Sequence, residues 1–198
     1  MSGGRLREPI RFLVFSASLR RDSLNTKLAD LAATAVEANG GDVTVARMRD
    51  FDCPSYDLDV QNEEGFPPGA EEFRRQLEAC HGFVVASPEY NASMPGALKN
   101  AIDWVSRPEP GRPPLYCFTG KVCGLLSASP GALGGLRGLV TVRSILANIG
   151  VLVLPEQVAV MRANDAFGPD GTLKDEKQQA AVQKLAARLV EVAGRLRA

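Results

Sequence analysis

Short apolar runs alternate along most of the chain with longer segments of helical periodicity, and this alternation limits the possible folds more than any other feature. Residues 10–15 form an apolar run that stops at small residues, as a buried strand does. Residues 24–39 follow with apolar side chains at helical spacing, and two glycines end the segment. The whole pattern predicts strands at 10–15, 43–48, 82–87, 121–127 and 151–154, and helices at 24–39, 70–80, 96–106, 136–148 and 182–196.

Alternating strands and helices indicate an α/β fold in which helices cross over between parallel strands. Because such crossovers are right-handed and cover both faces of the sheet, a three-layer sandwich is expected. The predicted order of the five parallel strands is 2-1-3-4-5, and ligands in such folds bind beyond the carboxyl ends of the strands, beside strands 1 and 3. The loops after strands 1, 3 and 4 therefore form the candidate site.

The composition is that of an ordinary globular protein. With 198 residues, 45% apolar and 23% charged, the chain is expected to form one domain, 1–198, with residues 1–9 flexible. Its 23 basic residues balance 23 acidic ones, so no nucleic-acid partner is expected. No secretory segment and no apolar stretch of the ~20 residues that span a bilayer is found, so we expect no membrane contact and a cytoplasmic location. The four cysteines lack metal or redox spacing and are interpreted as packing residues.

The first loop, residues 16–25, is rich in hydroxyl side chains and leads into a helix N-terminus. Free N–H groups and the positive end of the helix dipole favour an anion there. Ser16, Ser18 and Ser23 can donate hydroxyl protons, Arg20 can supply charge, and Asn25 can add an amide donor. The loop is therefore a candidate phosphate site. Alternatively, Ser23 only caps the helix and Arg20 is a solvated surface charge.

The second loop, residues 87–96, offers what a flat heteroaromatic ring needs from a protein. Tyr90 supplies an aromatic face, and Asn91 and the exposed backbone supply hydrogen-bonding groups at the predicted ligand edge. On the alternative reading, Pro88 and Pro95 merely shape the turn and Tyr90 half-buries its ring at the end of the strand.

The third loop, residues 127–138, is rich in serine and glycine. Glycines such as Gly131 let the backbone approach the plane of a ligand, and Ser127 and Ser129 add hydroxyl groups. The spacing is not the GxGxxG of a dinucleotide-binding fold, and the loop follows the fourth strand instead of the first. A glycine-rich connection without a ligand is the alternative.

Several other site classes find little support in the sequence. No GxxxxGK[ST] phosphate loop and no GxSxG elbow is present, and the single histidine, His81, lies before a strand at the opposite edge of the sheet. One histidine and scattered cysteines supply no zinc ligand set, so no metal is expected. The proline-rich segment 107–114 is interpreted as a surface connection or as a contact with a neighbouring subunit.

Taken together, the three loops resemble those of the NADPH-dependent FMN reductase family, a flavodoxin-like group that includes quinone, azo-compound and chromate reductases. The most specific part is Pro88-Glu89-Tyr90-Asn91, followed by Pro95-Gly96 and then by residues 98–104. The resemblance implies that Ser18, Arg20, Ser23 and Asn25 hold the FMN phosphate, and that 88–91 and 127–131 flank the isoalloxazine. Ser93 and the Gly134-Gly135 pair are weaker correspondences. One departure is Ala17, where the family often has glycine, which matters if that position requires a positive φ.

What the resemblance implies is an oxidoreductase that takes hydride from NADPH or NADH onto FMN and passes it to a quinone, azo compound, metal oxyanion or free flavin. Flavin hydride transfer needs no protein acid or base, so no catalytic side chain is expected and Glu89 is expected to hold its loop or to pair locally. A homodimer or homotetramer is implied by the family. The alternative is a flavodoxin-like electron carrier or flavin-binding module without NAD(P)H turnover.

Overall fold

The computed structural model describes residues 9–197, so most of the segment expected to be flexible, 1–9, lies outside the description. The five strands are β1 (Ile10–Ser16), β2 (Gly41–Arg47), β3 (Gly82–Ala86), β4 (Val122–Ala128) and β5 (Leu152–Val160). The six α-helices are α1 (Leu24–Ala38), α2 (Leu58–Glu64), α3 (Pro68–Ala79), α4 (Gly96–Val105), α5 (Leu136–Asn148) and α6 (Glu176–Leu196).

The strands form one parallel sheet in the order β2-β1-β3-β4-β5, which confirms the predicted topology. One face of the sheet is covered by α3, α4 and α5, where Phe15, Phe73 and Trp104 are buried. The other face is covered by α1 and α6, where Leu28 and Leu185 are buried. Helices on both faces make the predicted three-layer, flavodoxin-like sandwich, and they leave the carboxyl ends of the strands free to carry a site.

The prediction that β5 ends at residue 154 was wrong. The strand runs on to Val160, and its pairing with β4 shifts register between Cys123 and Leu125, which pair with Val153 and Gln157. The shift places Pro155 within a bulge of an edge strand, where its missing N–H removes no ladder bond. The continued strand brings the segment after Val160 up to the loop that follows β4. In this contact the Arg162 N–H donates to the Gly131 carbonyl.

The short helix α2 was missed because it has no apolar periodicity and no buried residue. Its local signal is Asp57, whose side chain accepts the Asp59 N–H at 2.8 Å and so caps the helix. The start of α6 was also placed too late. Asp175 caps that helix by accepting the N–H groups of Lys177 and Gln178.

The segment 107–114 is fastened to its own chain by two arginines. Arg74 of α3 is 94% buried, lies 3.5 Å from the Glu109 carboxylate and stacks 3.9 Å from the centroid of Phe66. Arg112 pairs with Glu78 at 2.9 Å. These contacts favour the interpretation of a surface connection held by α3.

None of the helices described between residues 9 and 197 has the length and apolar character needed to cross a bilayer.

Candidate functional site

The loops after β1, β3 and β4 meet in a cleft at the carboxyl edge of the sheet. A cavity of about 90 Å³ lies between them. Its lining includes eight of the predicted site residues, Ser18, Arg20, Ser23, Asn25, Pro88, Glu89, Tyr90 and Ser129. Ala128 and Pro130, from the predicted range 127–131, also line it, as does Leu24, which was not predicted. Five other predicted residues do not line this cavity: Asn91, Ser93 and Gly131 lie in the loops, Ser16 is the last residue of β1, and Ser127 lies in β4. The topology therefore brings the three loops together as the sequence predicted.

The serines of the first loop accept backbone hydrogen bonds and keep their own protons available. Ser23 is the N-cap of α1 and accepts the Asn25 N–H at 3.2 Å, while Ser18 Oγ accepts the Arg20 N–H at 3.3 Å. Ser16 Oγ accepts the Ser18 N–H at 3.3 Å. Since each hydroxyl serves as an acceptor here, its proton can still be donated to an anion. The first turn of α1 contains no acidic residue, so no side chain within that turn offsets the positive end of the helix dipole.

The alanine at position 17 fits its backbone without strain. Ala17 is not among the described non-glycine residues with positive φ, and its N–H continues the β1–β3 ladder by donating to the Ala86 carbonyl at 2.9 Å. The side chain is buried. The departure from glycine therefore requires no positive φ at this position.

Asn25 links the first loop to the third. Its side chain is buried, and its amide both accepts the Ala128 N–H and donates to the Ala128 carbonyl, each at 2.9 Å. Its oxygen and one of its two amide protons are used in this way, so at most one N–H remains for a ligand. The contact fixes the N-terminus of α1 against the end of β4.

The second loop turns back on itself within four residues. The Tyr90 and Ser93 backbones exchange two hydrogen bonds of 3.0 Å, and between them Asn91 and Ala92 have φ angles of 51° and 62°. Positive φ at both central residues is typical of a type I′ turn. The Tyr90 side chain is 48% exposed at the mouth of the cleft. The loop therefore presents an aromatic ring beside the cavity from a rigid turn.

Glu89 is held by contacts with α5. Its Oε1 accepts a hydrogen bond from Arg137 Nε at 2.8 Å, and its Oε2 accepts the Gly138 N–H at 3.1 Å. Burial alone would raise the pKa of Glu89, but the hydrogen bonds from Arg137 and Gly138 outweigh burial and lower it. Glu89 is therefore ionised at neutral pH and is unsuited to act as a general acid, which agrees with the expectation that it holds its loop. Arg137 and Gly138 had no local signal in the sequence, because 48 and 49 residues separate them from Glu89.

The third loop depends on two glycines at the start of α5. Gly134 and Gly135 have φ angles of 61° and 89°. A Cβ atom on Gly135 would lie 1.9 Å from Ser127 Oγ, and one on Gly134 would lie 2.8 Å from the carbonyl carbons of Ala159 and Val160. No side chain fits at either position, so the loop packs with its backbone against β5 and Ser127. Ser127 Oγ is buried and has no hydrogen-bond partner within the described chain.

The donor set of this cleft suits FMN. Hydroxyl groups, a guanidinium and a helix N-terminus lie together in the first loop, as a phosphate monoester requires. The aromatic ring of Tyr90 and the backbone of the third loop provide surfaces for a flat ring. A cavity of about 90 Å³ is smaller than the roughly 300 Å³ or more of pockets that enclose a whole ligand.

Comparison with known proteins decides the family. Residues 10–165, which include all three loops, match the family model described as NADPH-dependent FMN reductase. The chain belongs to this family. An NAD(P)H-dependent FMN reductase of Pseudomonas aeruginosa is 37% identical over 89% of this chain and 91% of its own length. A quinone reductase of Escherichia coli is 37% identical over 85% of this chain and 87% of its own length.

A solved structure supports the same assignment. The flavoenzyme FerB, an NAD(P)H:(acceptor) oxidoreductase from Paracoccus denitrificans, superposes with a TM-score of 0.78 at 26% identity, covering 94% of this chain and 98% of its own. Membership in the FMN reductase family confirms the predicted oxidoreductase class, with FMN as cofactor and NAD(P)H as electron donor. The roles of the individual loop residues stay predictions.

Proposed function

We propose that this FMN reductase family member reduces quinones at the cleft, using NADPH or NADH as donor, with donor and acceptor occupying the same place in turn. The observation that carries the proposal is the open mouth of the cleft, where Tyr90 is half exposed beside a cavity too small to enclose a ligand. An open flat surface can receive a nicotinamide and then a quinone, whereas a closed pocket would exclude the second reactant.

Relatives of this chain support a quinone as the acceptor class. Besides the quinone reductase of Escherichia coli, a 2-hydroxy-1,4-benzoquinone reductase of Burkholderia is 32% identical over 73% of this chain and 74% of its own length. Azo compounds, metal oxyanions and free flavin make similar demands on an open ring face and are the competing acceptors.

In this proposal the protein binds and orients, and bound FMN supplies the two-electron chemistry. Ser18, Arg20 and Ser23 hold the phosphate with hydroxyl protons and a guanidinium. Residues 88–91 and 127–131 flank the ring. The Asn25–Ala128 and Glu89–Gly138 hydrogen bonds fix these loops against one another. No side chain is assigned to proton transfer, since Glu89 is ionised and both of its oxygens accept hydrogen bonds.

The test is an anaerobic visible spectrum of the FMN-loaded protein before and after addition of NADPH, and separately of NADH. We expect the absorbance of oxidised flavin to disappear far faster than with free FMN, and to return when a quinone is added. A bound flavin that stays oxidised would favour the electron-carrier alternative. Bleaching that only azo compounds or metal oxyanions reverse would refute the quinone assignment. Failure to bind FMN would refute the assignment of the three loops.

We also propose that the protein forms a homodimer or homotetramer. Leu136 and Val140 lie one turn apart on α5 and are 39% and 60% exposed, so they offer an apolar strip that a second chain can cover. Light scattering after size exclusion is expected to give two or four chains, and Val140→Glu is expected to reduce that number. A monomeric wild type would refute the proposal.

A cytoplasmic location is supported by the four cysteines, which are all free thiols.

A further inference from the structure

Glu89 and Arg137 form an ion pair in the wall of the cleft whose role the reductase function does not by itself explain. Glu89 lines the cavity, yet its side chain is only 9% exposed, whereas that of Arg137 is 59% exposed. The Nε and Nη2 atoms of the Arg137 guanidinium both donate to the same carboxylate oxygen of Glu89. Glu89 therefore belongs to the wall of the cavity, and its carboxylate is held against Arg137 and Gly138 of α5.

The carboxylate of Glu89 serves as the N-terminal cap of α5. Gly135, at the N-cap position, has no side chain and makes no side-chain capping bond. Glu89 Oε2 accepts the Gly138 N–H instead, three residues into the helix region. Gly138 suits this close contact, because a Cβ atom there would lie 3.2 Å from Glu89 Cβ and 3.1 Å from the Ser93 carbonyl oxygen, and these neighbours would have to move by a few tenths of an ångström.

A carboxylate in this place has an electrostatic cost for a reductase. Electrons that enter a cofactor held in the cleft bring negative charge towards Glu89, which opposes their arrival. Arg137 cancels that repulsion, since it lies against the same oxygen. The cap of α5 requires the Glu89 carboxylate, and electron transfer in the cleft is favoured when the charge of that carboxylate is neutralised. Arg137 provides the neutralisation without removing the cap.

We propose that Glu89 and Arg137 act as a neutral pair in which Glu89 positions α5 and Arg137 prevents the Glu89 charge from lowering the reduction potential of the cofactor. This inference rests on the proposed function, because it requires FMN in the cleft. Glu89 and Arg137 are positioning and charge-balancing residues here and take no part in proton transfer.

The experiment compares two variants that break the same ion pair but change the charge in opposite directions. Glu89→Gln leaves Arg137 uncompensated, so reduced FMN is expected to bind more tightly relative to oxidised FMN and the reduction potential to rise. Arg137→Gln leaves Glu89 uncompensated, so the potential is expected to fall. The ratio of the dissociation constants of reduced and oxidised FMN is expected to change by roughly three- to tenfold, in opposite directions in the two variants. The change is moderate because solvent partly screens the charges of Glu89 and Arg137. The potential is measured by equilibration with a reference dye.

Two further variants separate charge from packing. Arg137→Lys keeps the positive charge without the two-nitrogen contact and is expected to keep the wild-type reduction potential. The double variant Glu89→Gln/Arg137→Gln removes both charges and is expected to have the wild-type reduction potential again. The matched control is the exposed pair Arg188–Glu191 on α6, at 2.8 Å, where Arg188→Gln and Glu191→Gln should leave the potential unchanged. Hydrogen exchange of the Gly138 N–H in cofactor-free protein reports the cap directly and is expected to be faster in Glu89→Ala.

The outcomes distinguish this proposal from the one on which it rests. Potentials that shift in the same direction in both single variants, or in neither, would overturn the charge-balancing role while leaving the reductase intact. Unchanged exchange of the Gly138 N–H in Glu89→Ala would overturn the capping role even in a variant that loses FMN. A wild type that fails to bind FMN or to react with NAD(P)H would instead refute the proposed function.

Discussion

The side-chain amide of Asn25 makes with Ala128 the two hydrogen bonds that a neighbouring strand would make. Oδ1 accepts from the Ala128 N–H and Nδ2 donates to the Ala128 carbonyl, both at 2.9 Å, across 103 residues of sequence. Ala128 is the last residue of β4, and Asn25 lies in the first turn of α1. A single side chain therefore fastens the predicted phosphate loop to the loop predicted to flank the ring.

Asn25→Ala is expected to lower the free energy of unfolding by about 3 kcal/mol, because it leaves a buried N–H and a buried carbonyl without partners. Urea unfolding of the cofactor-free protein measures this. Asn39→Ala is the matched control, since Asn39 makes one side-chain bond to the Ala35 carbonyl at an exposed helix end. A loss no larger than that of the control would mean that the Asn25 contact does not hold the loops together.

Arg20→Ala is expected to weaken FMN binding by roughly 10- to 100-fold, as the loss of a charge-assisted contact to phosphate does. Riboflavin has no phosphate, so its affinity for the protein should be unchanged by the substitution. Fluorescence quenching of FMN and of riboflavin gives the two dissociation constants. Arg21→Ala removes the neighbouring exposed charge and serves as the control for general electrostatic attraction. Equal effects of the two substitutions, or an equal loss of riboflavin affinity, would count against Arg20 as a phosphate ligand.

Ala92→Gly is expected to stabilise the protein by about 0.5–1 kcal/mol. Ala92 has a φ of 62° at the second central position of a type I′ turn, where glycine avoids the clash between Cβ and the backbone. Ala92→Val should have the opposite effect, since a β-branched side chain is strained further in this region. Urea unfolding of both variants provides the measurement. Destabilisation by glycine would show that the turn is not strained at this position.

Cys53 is expected to react slowly with iodoacetamide although its side chain is partly exposed. Burial, and then the nearby Asp52 carboxylate, raise the pKa of its thiol to about 11. At pH 8 only about 0.1% is then thiolate, against roughly a quarter of an ordinary thiol, and the reactive fraction should grow about tenfold per pH unit up to pH 10. Mass spectrometry of timed samples follows the reaction, with protein in urea as the reference. Labelling at the unfolded rate at pH 8 would contradict the packing interpretation of this cysteine.

The sequence predicted the sheet and the three loops because both depend on local patterns. Apolar runs and helical spacing identify the strands and helices, and the order of a parallel sheet then determines which loops share an edge. It predicted less well where a contact is distant or a pattern is broken. Pro155 interrupts the apolar pattern of β5, yet a register shift accommodates it. Asn25 was assigned by residue type to the phosphate, but its main partner, Ala128, is one that only the folded chain brings near.

The glycines before α5 also determine how this protein can be engineered. Gly134 and Gly135 admit no side chain, so saturation mutagenesis there would yield misfolded variants and little new chemistry. Leu133 and Met161 follow the carboxyl ends of β4 and β5 and are 49% and 48% exposed, so they can be exchanged without disturbing the core. A mutant library aimed at this edge of the sheet would therefore vary these two positions and leave the glycine pair fixed.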